Sequence, residues 1–340
     1  MALSDWLLSV FRRRPRHEDG GQRRRGPALH VVILDGTMSS LERGRETNAG
    51  QTFKLLSEAG RTSNLTVYYE AGIQWRDWRS AYDVITGKGI NQQIRRAYGV
   101  LASRYHEGDR IILIGYSRGA FAVRSLAGII GRIGLLRNTQ ATARNVELAY
   151  RYYRLGRDNP HVQKFRELYC YPQTKIDAIG VWDTVKALGL KWPIVSRFVP
   201  EAQSFHDHNI GPHVARGFHA LAMDETRATY EPELWDTRGA KASHVEQVWF
   251  KGTHGDIGGQ LGGHDAARPL ANIPLIWMLE RLEEAGMHLP EGWRIRFPQD
   301  PDAPSVGNWG GWGKIFIRRR RRIIGLDPSE RVHETAKGGQ

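Results

Sequence analysis

The chain has 340 residues, 40% hydrophobic and 25% charged, with a formal net charge of +13 and one cysteine, Cys170. The apolar fraction excludes a disordered chain, and a mean hydropathy of −0.50 excludes a membrane-embedded one. One cysteine excludes an intrachain disulfide framework and a multi-cysteine metal site, while the excess positive charge points to an anionic partner.

That charge sits mostly at the two ends. Residues 1–26 hold seven arginines against three carboxylates, and Lys314 with the run Arg318 to Arg322 adds six more positive charges. The body between them is nearly neutral. Near the N-terminus, Leu3, Trp6, Leu7, Leu8, Val10 and Phe11 precede the arginines instead of following them, which excludes a secretory signal. No window reaches the length of a bilayer-spanning helix. Residues 1–27 read either as a docking helix followed by a flexible Arg/Gly linker or as a segment lying on an anionic membrane. In the second reading Trp6, Arg12, Arg13 and Arg14 are the contacts. The expected location is cytoplasmic or peripheral to a membrane, or wherever a secretion machine that reads no signal peptide delivers the chain.

From residue 29 apolar β-branched runs alternate with amphipathic ones. LHVVILDGT, LTVYYEAG, GDRIILIGYSRG, KIDAIGVWDT and HVEQVWFKGTHGD are strand-to-loop junctions. Helices are expected near 48–59, 89–105, 119–132 and 272–285. Continuous apolar runs bounded by Gly and Asp suit strands buried on both faces, so the expected class is α/β, a mostly parallel sheet flanked by helices. Residues 138–170 read as two helices broken near Pro160, and 186–212 as a loop; each is a lid-like insertion or outer packing. The catalytic domain is set at 28–300, and a basic Trp/Arg-rich segment at 301–340.

Gly115-Tyr116-Ser117-Arg118-Gly119 leaves a strand and enters an apolar helix, the setting a nucleophile elbow requires. Its sharp turn projects the serine Oγ above the strand ends and presents backbone N–H groups at a helix N-terminus. A serine nucleophile needs a base, and the base needs an acid to hold its tautomer. His254, in the glycine-rich loop after WFK, is the favoured base. His219 sits among apolar residues that suit a packing histidine, and His206, His208 and His213 crowd a loop. Asp183 ends an apolar strand and is the favoured acid; Asp256, two residues from His254, is its rival. Arg118 and either Gly36 or Thr37 are the expected oxyanion donors, with Asp35 orienting their loop or binding a cation. A metal site assembled from Asp35, Asp183, His254 and Asp256 leaves the elbow unexplained, so no metal or other cofactor is expected.

The blocks LDGT, GYSRGAF, VWDTVKALG, FHALAMDETRATYEPELW and WFKGTHGDIGG occur in this order. Together they resemble the α/β-hydrolase family that includes the type VI secretion phospholipase effectors, over residues 29 to 285. The resemblance implies Ser117 as nucleophile, Asp183 as acid and His254 as base, acting on an acyl ester of a lipid. Ser39 stands where the family usually has Asn, and Ile73-Gln74-Trp75 replaces its Gly-Val-Gly turn. Trp309, Trp312 and Phe316 ahead of Arg318, Arg319 and Arg320 suit an anionic membrane surface. A secretion or immunity protein is the rival partner, and nucleic acid is disfavoured. A non-catalytic scaffold and an esterase for soluble substrates are the alternative functions.

Overall fold

A computed structural model describes residues 26–60, 64–72, 88–155, 160–185, 210–238, 244–308 and 318–337. Trp6, Arg12, Arg13, Arg14, Ile73-Gln74-Trp75, His206, His208, Trp309, Trp312, Phe316 and nearly all of the 186–212 loop lie outside them.

The apolar runs form seven parallel strands in the order β2-β1-β3-β4-β5-β6-β7. They are β1 Leu29–Leu34, β2 Leu65–Glu70, β3 Arg110–Tyr116, β4 Ala178–Trp182, β5 Gly217–Ala222, β6 Val245–Phe250 and β7 Glu330–Val332. Helices α1 Asn48–Ala59, α2 Lys88–Arg104, α3 Arg118–Ile133, α4 Ala143–Leu155, α5 Pro160–Tyr169, α6 His254–Gly258 and α7 Arg268–Glu284 complete the regular elements. Period-two alternation divides each central strand between two cores. Val32, Leu34, Ile111 and Leu113 pack under α2–α5, whereas Val31, Ile33, Ile112 and Ile114 pack under α1 and α7. A fully buried Ile or Leu contributes about 1.5–3 kcal/mol, so these two layers dominate the stability of the sheet.

Residues 138–170 form packing helices: Val146, Ala149, Tyr150 and Tyr153 of α4 and Val162 and Phe165 of α5 are buried in the core beside α3. Described residues after 300 join the same sheet. Glu330–Val332 pairs in register with Gln247–Trp249, and Arg320 N donates to Thr226 O at 2.7 Å.

β1 has β2 on one side and β3 on the other, so the winding direction reverses there. In open parallel sheets the crevice beyond the carboxyl ends at such a reversal is where loops diverge and leave room for a site. Met38, Ser117 and Asp183 are the non-glycine residues with positive φ among the described residues, and they follow β1, β3 and β4 at that edge. Each such conformation costs on the order of 1–3 kcal/mol and persists only where the surroundings enforce it.

Candidate active site

Ser117 occupies the turn between β3 and α3 with φ 56° and ψ −122°. Glycine is required on both sides of it. A Cβ at Gly119 would lie 2.0 Å from Leu34 O, and one at Gly115 would lie 2.6 Å from the Ala120 Cα. Ser117 N donates to Trp182 O at 3.0 Å, which ties the turn to β4.

Three loops converge on this serine. Ser117 Oγ lies 2.9 Å from His254 Nε2, and His254 Nδ1 lies 2.5 Å from Asp183 Oδ2. Ser117, His254 and Asp183 are 6%, 5% and 0% exposed. With Asp183 ionised, Nδ1 must carry the imidazole proton, which leaves Nε2 to accept from the serine hydroxyl. His254 opens α6, whose N-cap Thr253 donates through N and Oγ1 to Asp256 Oδ2 at 2.7 and 2.8 Å. Asp256 also accepts from Ser305 Oγ and Val306 N. It holds the helix that carries the histidine and does not face the imidazole's Nδ1. Tyr116 and Tyr230 lie against the imidazole, with ring centroids at 5.0 and 4.6 Å and planes tilted by 31° and 40°. Its backbone N donates to Glu225 Oε2, and Arg227 forks onto the Glu225 carboxylate at 2.8 and 2.6 Å.

Asp183 accepts four hydrogen bonds from three residues. Besides His254, its carboxylate accepts from Ala222 N at 3.0 Å and from both Arg322 terminal nitrogens at 2.6 and 2.9 Å. Burial alone would raise its pKa. The Arg322 charge and the His254 hydrogen bond outweigh that and hold it well below the usual carboxylate range.

At the end of β1, Asp35 accepts from Gly36 N at 2.7 Å, Thr47 Oγ1 at 2.6 Å and Tyr69 OH at 2.8 Å. Burial pushes its carboxyl up to about 6 despite these hydrogen bonds. The expected Gly36 donor is therefore already spent on Asp35, which leaves Thr37 as the candidate from that loop. Gln260 Nε2 donates to Thr37 O at 2.9 Å and steadies the loop. Arg118 N begins α3, where first-turn N–H groups lack intrahelical acceptors. Asp35, Asp183 and Asp256 thus each have separate protein donors, and the four groups of the metal reading do not share one centre.

The remaining histidines divide. His219, in β5, accepts from Thr184 N and donates towards Gln247 Oε1, and burial pushes its pKa down to about 3. It is a neutral packing residue. His213 is bonded to Ala127 O.

The arginine run also divides. Arg318, Arg320 and Arg321 are exposed, whereas Arg319 bonds Asn308 O and Arg322 is buried on Asp183. Arg319 therefore does not face outward as a membrane contact must. Sequence reasoning missed Arg322, Glu225, Arg227 and Tyr230. The last three fall in the FHALAMDETRATYEPELW block, whose resemblance was their only signal.

A parallel sheet reversing direction at β1, with a serine on the strand-turn-helix after β3, defines an α/β fold of the hydrolase type. Residues 29–281 match the catalytic domain of the Tle1-like phospholipase effectors of the type VI secretion system, and the chain belongs to that family. Over 245 residues it is 27% identical to the uncharacterized protein YEL023C of Saccharomyces cerevisiae, covering 62% of this chain and 34% of that one. Three solved structures are similar at low identity. An uncharacterized protein from Pseudomonas aeruginosa is 16% identical with TM-score 0.48, over 88% of this chain and 52% of that one. A Tle1 effector bound to a VgrG spike is 19% identical with TM-score 0.38, over 74% and 56%. An esterase from Thermogutta terrifontis is 14% identical with TM-score 0.40, over 78% and 87%. The chain spans about a third of the yeast protein and about half of the first two structures.

Proposed function

We propose that the chain is a serine ester hydrolase that cleaves an acyl ester of a lipid, with Ser117 as nucleophile, His254 as base and Asp183 as acid. The unbroken hydrogen-bonded line from Ser117 Oγ through His254 to Asp183 carries this reading. His254 Nε2 takes the hydroxyl proton as Oγ attacks the acyl carbonyl. Arg118 N–H and Thr37 N–H receive the negative charge that develops on the carbonyl oxygen. The C–O bond to the alcohol then breaks, and His254 returns the proton to the leaving oxygen. Water, deprotonated by the same imidazole, releases the acid from Ser117.

Lipid is favoured over a soluble ester by the family and by the surface of the C-terminal strap. Exposed Arg318, Arg320 and Arg321 are followed by Ile323, Ile324 and Leu326, which are 52%, 39% and 58% exposed. Cations beside apolar side chains suit an anionic bilayer interface. No helix among the described residues is long and apolar enough to cross a membrane. Family membership also supports delivery by a type VI secretion machine and contact with its parts.

The experiment is labelling with a fluorophosphonate, followed by product mass analysis on a glycerophospholipid panel. The parent chain labels and releases fatty acid. Ser117→Ala does neither, losing on the order of 10³–10⁶-fold in kcat while keeping its fold. A parent chain that is folded yet unlabelled, or a Ser117→Ala variant with full activity, overturns the reading.

A further inference from the structure

We infer that Arg322 is a positioning residue for the reaction: from the strap after residue 318, its guanidinium fixes the Asp183 carboxylate against His254. The inference rests on the reading of Ser117, His254 and Asp183 given above.

The contact is a fork. Nη1 and Nη2 donate to the two Asp183 oxygens at 2.6 and 2.9 Å, with side chains 4% and 0% exposed. Planar, paired donation fixes the plane of a carboxylate as well as its charge, which a lysine ammonium does not do. The guanidinium is itself tethered, since Nη1 also donates to Ala222 O at 2.8 Å and Nη2 to Tyr230 O. Ala222 and Tyr230 belong to the segments that position Asp183 and cover His254. One side chain thus links the acid, the end of β5 and the tyrosine whose ring lies against the base.

Asp183 needs such an anchor. Its backbone sits at φ 40°, a strained conformation that persists only where its surroundings enforce it. Its carboxylate is fully buried, so without a cation the buried charge is costly and the acid–base pair takes up a proton more readily. The other charged and titratable groups facing His254 are Glu225 with its Arg227, Tyr116, Tyr230 and, on its own helix, Asp256. Arg227 is bound to Glu225, which leaves Arg322 as the cation on Asp183 among the described residues. Arg322 lies beyond residue 281, where the family match ends, so, like Ser305 and Val306 on Asp256, it is brought from outside the matched domain to the proposed reacting groups within it.

The test uses the full chain with a soluble ester, which keeps any membrane contact of the strap out of the readout. Arg322→Ala lowers kcat on the order of 10²-fold with KM little changed. It also moves the acid limb of the kcat/KM profile up by about one pH unit. Arg322→Lys falls between Ala and the parent, and added methylguanidinium restores part of the Ala variant's kcat. If Arg322→Ala fails to fold, the Lys variant's kcat and acid limb decide alone. A lowered Tm with parental kcat and an unmoved acid limb overturns the inference and makes Arg322 a structural tie only. Failure of the parent chain to label with fluorophosphonate sinks the underlying reading instead, so the two failures are distinguishable.

Discussion

The turn that carries Ser117 and the turn that carries Asp183 both sit at positive φ on neighbouring strands, yet they are built in opposite ways. Ser117 depends chiefly on what lies within two residues of it, Gly115 and Gly119, which allow β1, β3 and α3 to close around the turn, with one backbone bond to Trp182 O on β4. Asp183 is held by side chains and backbone from far along the chain, at Ala222, His254 and Arg322. A local device is robust to change elsewhere, whereas an assembled one inherits the fate of every element that supplies it.

Three measurements press on that contrast. The largest effect is expected from Asp183→Asn, which removes the charge that fixes the His254 tautomer and leaves Arg322 without its carboxylate. Its kcat falls by about 10³–10⁴-fold, and stability falls by about 3–5 kcal/mol because a buried charge loses its partner. Denaturant midpoints beside ester kinetics read both; a variant keeping a tenth of the parental kcat would detach the acid turn from the chemistry.

Asp35, under the elbow, gives an intermediate effect with a definite sign in pH. Its folded pKa of about 6 lies above the ordinary 3.8, so its contribution to stability is fully present below about pH 4 and is lost as pH rises through 6. Relative to Asp35→Asn, the parent chain therefore loses on the order of 3 kcal/mol across that window. Urea titrations of both proteins at pH 4, 5, 6 and 7 follow it. A constant difference would mean that the carboxyl is not held in its neutral form.

The smallest effect belongs to Asp256→Ala. Loss of the cap on α6 costs about 1–2 kcal/mol, and kcat drops less than about 10-fold because His254 keeps Asp183. Damage to kcat as severe as that from Asp183→Asn would reverse the assignment of the two carboxylates.

The same contrast explains which features the sequence exposes. The parallel α/β architecture follows from long apolar runs, and the helices near 48–59, 89–105 and 119–132 lie within a residue of the observed ones. β5 is obscured by His219 in a short run, GFHALA, whose polarity is satisfied by Thr184 N in the turn after β4 and by Gln247 of β6. β7 has three residues and no periodicity to read; its pairing with β6 defines it. Ser117, His254 and Asp183 stand at strand ends, where residue type and position agree. Arg322 is one of five consecutive arginines, and nothing within the run separates the buried one from those facing water. Gly36 looked like a free donor because its acceptor, the preceding Asp35 side chain, has no signature in a sequence.

The strap has a further consequence in time. During synthesis the strands from β1 to β6 and all three groups of the proposed catalytic line emerge before residue 318. Asp183 can therefore be enclosed by the sheet while its cation is still unmade. N-terminal elements fold first as a chain grows. A nascent chain halted at that stage holds Ser117, His254 and Asp183 with the acid unclamped, so the proposed catalytic line is completed only once Arg322 has been made.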